Sequence, residues 1–375
     1  MKVVVAVDSF KGSLTSSEAG LAIKKGLLQV NPNLLVSVHE VADGGEGSLQ
    51  VIKKRMTHLE EIKLCVFNTL HEKITTSYLI TNWEGKKTAI IESAMVVGIE
   101  AINPSEHSTK LGSSYGLGEM ILDAKNRGCQ RVIVFLGGTA TSDGGLGMLG
   151  AWSANASDYE AGNLLYENQL HFDLTKMQEE FSEIEILIGS DVTNPFSGMK
   201  GFAQVFAPQK GATPEQVQFL DKQAEKFMKQ VQDKVKINLN AFEGSGAAGG
   251  IAGSLLILGG RIQSGFDMIA KMIDLEHEIQ DADLIYTGEG RLDAQSVQGK
   301  LPMKICQLAG KYDVPVIALT GSRDQQLGAL DDNLLGAFSI QQGPTPIEKA
   351  LEKEVAEDNL EITARETFKL FQYNS

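Results

Sequence analysis

The sequence is poor in the residues that usually announce chemistry. Its 375 residues hold three cysteines, Cys65, Cys129 and Cys306, far apart and without a CxxC pair. An odd, dispersed set reads as buried thiols in a reducing cytoplasm, not as a disulfide framework. The six histidines are scattered with no HExxH, which sets aside a zinc hydrolase. No G-x-x-x-x-G-K-[ST] occurs, so this is not a Walker P-loop. No GxSxG elbow marks an acyl-transfer nucleophile, and Ser9 stays open as a candidate nucleophile. Positive charge is short as well: 34 Lys and Arg against 48 Asp and Glu give a net charge of −14. Nucleic acid and anionic membrane surfaces need a basic footprint that is missing here. The largely apolar and glycine-rich stretch Ala247–Gly260, broken by Ser254, falls short of the roughly 18 residues of a membrane span. The opening "MKVVVAVDSFKG" reads as a strand from residue 3, not as a signal peptide.

What is abundant is glycine, 39 residues gathered in a few runs, the mark of sharp turns and close backbone approach. Hydrophobic content of 42% with 22% charged residues is that of a soluble globular protein, and the length suits about two domains. Continuous Val/Ile/Leu runs predict strands buried on both faces at Val3–Val7, Leu34–Val38, Arg131–Leu136, Glu185–Gly189, Asp283–Thr287 and Val314–Leu319. Helices start at a Thr15/Glu18 capping box, at a second box of Thr213 and Gln216 with Pro214 at the first helical position, and at a weaker Ser264/Asp267 signal. Residues 62–92 differ. "IKLCV", "ITTSYLIT" and "TAIIE" are close-set strands, and "NWEGKK" predicts an antiparallel hairpin. The reading is therefore α/β with a discontinuous domain, residues 1–60 and 282–375, and an inserted mixed-sheet domain, residues 61–281.

Several strand ends share one grammar of glycine, hydroxyl and carboxylate. "LGGTATSDGGLGMLG" follows an apolar run and offers Gly137, Gly138, Thr139, Thr141, Asp143, Gly144 and Gly145 as a phosphate cradle ahead of a helix. "VDSFKGS" places Asp8, Ser9 and Lys11 where open α/β sheets bind ligands. "ADGGEGS" supplies Asp43 and Glu46, "SDVTNPF" Asp191 and Asn194, and "TGEGRLDAQSVQGK" Glu289, Arg291, Asp293 and Lys300. Carboxylate and Asn oxygens suit Mg²⁺ beside substrate phosphates. Phosphoryl transfer asks for this inventory of backbone cradles, cations and a proton-accepting carboxylate. Two GxGxxG matches, at Gly145–Gly150 and Gly244–Gly249, lack a strand directly before them and read better as packing glycines than as dinucleotide fingerprints.

In series, "VDSFKGSLTS", "VADGGEGS", "GGTATSDGGLGML", "SDVTNPF", "FAPQKGATPE", "GSGAAGG" and "TGEGRLDAQSVQGK" resemble the signature blocks of the bacterial glycerate kinase family, first type. The resemblance runs from residue 1 to about 322. It implies ATP- and Mg²⁺-dependent phosphorylation of D-glycerate, most often to 2-phosphoglycerate. It also implies a flavodoxin-like domain built from both chain ends and an active site in the cleft beside the inserted domain. Against that reaction, Asp8, Lys11, Asp43 and Asp191 are assigned to catalysis. Ser9, Glu46, Lys210, Arg291 and Asp293 are assigned to the substrates, Gly137–Gly145 to the nucleotide, and Asp191 with Asn194 to the metal. Asp8 or Asp43 orients or deprotonates the hydroxyl, and Lys11 with Lys210 or Arg291 holds phosphate or carboxylate. "ESAMVVGIEAI" and residues 152–172 depart from the family's usual pattern. A kinase for another small hydroxy acid, a non-catalytic nucleotide or hydroxy-acid sensor, and an NAD-dependent dehydrogenase are the competing readings. Oligomeric state is left open.

Overall fold

A computed structural model of the chain describes residues 1–42, 44–153, 162–167, 172–292 and 301–373. Its strands, in chain order, are β1 (Lys2–Val7), β2 (Leu35–Glu40), β3 (Glu60–Phe67), β4 (Lys73–Trp83), β5 (Lys86–Glu92), β6 (Arg131–Phe135), β7 (Glu185–Gly189), β8 (Arg261–Gln263), β9 (Leu284–Leu292), β10 (Val316–Arg323) and β11 (Gly336–Ser339). They form two sheets in two compact units, residues 1–43 with 269–375 and residues 44–268.

The first unit is built from both chain ends. Its sheet runs β11-β10-β9-β1-β2, every pairing parallel. β1 lies between β9 and β2, which is why its sequence is a continuous valine run rather than an alternating one: Val3, Val4 and Val5 are all fully buried. Helices Ser16–Val30 and Lys353–Tyr373 cover one face, sharing a core with Val3, Val5, Tyr286, Leu319 and Phe368. They approach so closely that a Cβ on Gly26 would stand 2.2 Å from the Glu361 carbonyl oxygen. The Thr15/Glu18 capping box that opens the first of them is present in full.

The second unit carries the sheet β3-β4-β5-β6-β7-β8. β3, β4 and β5 pair antiparallel, and β5 to β8 run parallel. The expected hairpin joins β4 to β5 through Glu84 and Gly85, both left-handed (φ 52° and 78°), the two-residue turn whose twist matches that of the strands. The second capping box, Thr213 with Gln216, starts helix Pro214–Val235. A core of aliphatic side chains and of Phe196, Phe202 and Phe227 packs against the sheet. Among the described residues, no helix is long and apolar enough to cross a membrane.

Candidate active site

In the first unit the predicted residues gather at the carboxyl ends of β1 and β9. Asp8 follows β1 directly. Its amide donates to the Gly288 carbonyl at 2.9 Å, and its Oδ1 accepts the Ser9 amide at 2.6 Å. Phe10 and Leu14, both buried, exchange two backbone hydrogen bonds of 2.8 and 3.0 Å, which closes a tight turn with an exposed Lys11 at its tip. β9 continues past the expected end at Thr287, still paired with β10 at Ser322↔Arg291, and Gly290 passes against the Lys11 amide. Arg291 is exposed, and its guanidinium sits 3.4 Å from Asp324. Asp43, Asp293 and Lys300 lie outside the described residues.

In the second unit the carboxyl ends of β5, β6 and β7 meet the turn that opens at Gly44. The Gly137 amide donates to the Gly44 carbonyl at 3.0 Å, and a Cβ on Gly137 would stand 2.2 Å from the Gly45 Cα, so only glycine fits there. Glu92, at the end of β5, is buried and accepts the amides of Gly47 (3.0 Å) and Leu49 (2.9 Å), capping helix Ser48–Arg55 from a distant strand. Burial raises its carboxyl above the ordinary range, and those amides oppose the rise. Glu46 is exposed beside Gly138. Partial burial and the neighbouring Glu100 carboxylate, which is hydrogen-bonded to it, push its carboxyl up.

The glycine-rich run divides into two parts. Residues 139–150 are interior, whereas Gly137 is half-buried and Gly138 exposed. Asp143 is 0% exposed: its Oδ2 accepts the Ser114 amide (2.8 Å), the Ser114 hydroxyl (2.7 Å) and the Gly147 amide (3.1 Å), and its Oδ1 accepts the Gly145 amide (3.0 Å). Burial raises this carboxyl and the four donors counter it. The Gly144 amide donates to the Gly249 carbonyl at 2.9 Å. The lone carboxylate of the run therefore folds the turn onto itself. Both GxGxxG runs are packing glycines: a Cβ on Gly147 would stand 2.3 Å from the Ser113 hydroxyl, and one on Gly249 2.0 Å from the Thr141 carbonyl oxygen.

Two amides of the run are spared. Among the described residues, nothing accepts those of Gly138 and Thr139. Gly138 is left-handed (φ 69°), and successive amides at such a bend form an anion-binding concavity. Lys210 lies beneath it, 4% exposed, its Nζ donating to the Thr141 carbonyl at 2.7 Å and the Thr139 hydroxyl at 3.3 Å. Burial lowers its ammonium to about 7, with the Asp143 carboxylate acting in the opposite sense.

Asp191 follows β7 and accepts the Phe266 amide at 3.4 Å. Asn194 is half-buried; its side-chain amide donates to the Lys200 carbonyl at 2.9 Å, while its backbone carbonyl accepts the Gly246 amide at 2.9 Å. The Asn194 Oδ1 and the Asp191 carboxylate are thus two oxygen donors carried on one loop. One carboxylate and one amide oxygen fit Mg²⁺ that arrives with substrate phosphates and keeps several waters, not a closed protein cage. Among the described residues, no group of three or more His, Cys, Asp or Glu could hold a metal by itself. Glu92, Glu100 and Ser114 are parts of this constellation that the motifs do not name. The one signal for Glu92 was a charge ending the buried strand "TAIIE".

The profile of the glycerate kinase family matches residues 3–372. The chain is 35% identical to the glycerate kinase of Bacillus subtilis (strain 168), over 98% of this chain and 96% of that protein. It is 34% identical to the glycerate 2-kinase of Escherichia coli (strain K12), over 91% and 90%. A crystal structure from Salmonella typhimurium LT2, provisionally titled glycerate kinase 2, is similar with a TM-score of 0.77 and 30% identity, covering 100% of this chain and 99% of that one.

Proposed function

This chain belongs to the glycerate kinase family, and we propose that it transfers the γ-phosphoryl group of ATP to D-glycerate, giving 2-phosphoglycerate in preference to 3-phosphoglycerate. The observation that carries the nucleotide side of this reading is the pair of unclaimed amides at Gly138 and Thr139, at the carboxyl end of a parallel strand. Preference for the 2-hydroxyl is supported by the name of the Escherichia coli relative. We read the unit formed from both chain ends as flavodoxin-like. Counted within that unit, its parallel order β2-β1-β9-β10-β11 is the doubly wound 2-1-3-4-5, in which ligands sit outside the strand ends where the order reverses. Asp8, Ser9, Lys11 and Arg291 occupy those ends, on β1 and β9.

In the reaction the glycerate hydroxyl oxygen bonds to the γ-phosphorus while the bond from that phosphorus to the β–γ bridging oxygen breaks, releasing ADP. The hydroxyl proton passes to a carboxylate, Asp8 or Asp43. Lys11, exposed at the tip of its turn, neutralises phosphate or the glycerate carboxylate, and Arg291 is the second cation on the same sheet edge. The amides of Gly138 and Thr139 hold a nucleotide phosphate, positioning and charge compensation being most of what phosphoryl transfer asks of a protein. Asp191 and Asn194 would hold Mg²⁺, which would supply charge compensation for the phosphates. ADP release in a coupled assay tests the reading: turnover should require D-glycerate, and a rate unchanged by adding it would defeat the assignment.

A further inference from the structure

We propose that Lys210 is the buried counter-charge of the Gly138–Thr139 turn: it touches no ligand, fixes Thr139 and Thr141 from beneath, and takes up a proton when a nucleotide phosphate occupies the two unclaimed amides. The inference rests on the kinase reading, because it takes nucleotide phosphate as the anion.

The geometry assigns the role. Lys210 closes the short helix Pro208–Lys210, and its carbonyl accepts the Thr109 hydroxyl at 3.4 Å. Gly211 next to it packs so tightly that a Cβ there would stand 2.0 Å from the Ser105 amide nitrogen. The backbone at the base of this side chain is therefore pinned, and the Nζ is delivered to one place. An ammonium brings three N–H donors and a neutral amine two. Among the described residues Lys210 donates to two acceptors, the Thr141 carbonyl and the Thr139 hydroxyl, which matches the amine and leaves an ammonium one acceptor short. Burial acts in the same direction, since removing water penalises the charged form.

Asp143 is the charged group that favours protonation. On helix Glu106–Leu111 the titratable groups are Glu106, His107 and Lys110, and the first turn of helix Pro214–Val235 carries Glu215; all four are exposed. The protonation state of Lys210 is thus poised between burial and one buried carboxylate. A phosphate on the neighbouring amides adds negative charge on its far side and tips the balance to the ammonium. This gives the "APQKGATPE" segment, which contributes no ligand, a task as a positioning element.

Calorimetric titration with Mg–ATP, without glycerate, at pH 8 in two buffers of different ionisation enthalpy reads the proton directly. By linkage the wild type should take up about half a proton or more at pH 8 and close to none at pH 6, and its Kd should weaken by about two- to tenfold from pH 7 to pH 8. Lys210→Met, of similar length and without charge, should lose the uptake and the pH dependence. Wild-type binding without proton uptake at pH 8 overturns the proposal while leaving the kinase reading intact, and it does so whether or not the variant folds. Uptake retained in a folded Lys210→Met overturns it equally. Failure of the wild type to bind Mg–ATP at all would remove the nucleotide reading and this inference together.

Discussion

The Gly137 amide donates to the Gly44 carbonyl at 3.0 Å, joining backbone to backbone two glycine turns that lie far apart in the chain. One carries Glu46 and the other the unclaimed amides, so this contact brings an acidic side chain and an anion-binding bend together. Gly137→Ala would press a Cβ onto the Gly45 Cα, where backbone and not a flexible side chain must yield. We expect a loss of about 1–3 kcal/mol in urea unfolding. Displacement of the turn should lower kcat/KM by about tenfold or more. Wild-type values in both measurements would show that the turns need not touch.

Asp143 holds four donors in the interior, and removing it orphans all of them. Asp143→Ala should cost about 3–5 kcal/mol, the range for breaking a buried charged network. It should appear as a lower urea midpoint with an unchanged slope. A cost below about 1 kcal/mol would contradict the structural role given to this residue.

Lys11 makes the opposite case, an exposed lysine on a turn that Phe10 and Leu14 hold without it. Lys11→Ala should leave thermal stability unchanged and reduce kcat/KM by about 10- to 100-fold, the loss of one charged contact. Unchanged kinetics would remove it from the site.

Glu18 is held down to about 2, first by its hydrogen bond to Lys353 and then by the Thr15 amide and hydroxyl. A carboxyl lower in the folded than in the unfolded chain stabilises above its unfolded value, about 4.3, and that contribution fades as pH falls towards 2. Glu18→Gln should therefore flatten the decline in stability between those limits, measured as urea midpoints at pH 3 and pH 7. An equally steep decline in the variant would show that the capping box is not a source of acid sensitivity.

Much of the scaffold could be read from the chain because its signals are local. Val3–Val7 announces a strand buried on both faces, Thr15 with Glu18 and Thr213 with Gln216 open helices where they should, and Glu84–Gly85 turns the hairpin. β8 and β11 escaped because Arg261–Gln263 is three residues long and "GAFS" has no β-branched residue. β9 runs on through Gly288 and Gly290, which read as the end of a strand but are held in register by β10. The candidate site was legible as motifs at strand ends, and less so as roles. An Asp beside glycines looks the same in sequence whether it meets a ligand or, like Asp143, closes a turn from within. Lys210 likewise becomes an interior residue only once helix Glu106–Leu111 and the 139–141 turn are packed over it. Burial is a tertiary property, and it separates the two lysines the motifs treat alike.

The most direct test of the central claim is ³¹P NMR of the purified protein with ATP, Mg²⁺ and D-glycerate, beside a control without glycerate. The expected result is a new phosphomonoester signal that requires glycerate, coupled to the single proton of C2. Coupling to two protons would keep the kinase and move the phosphate to the 3-hydroxyl. ATP left intact, or ADP and inorganic phosphate formed without the ester, would contradict phosphoryl transfer to glycerate.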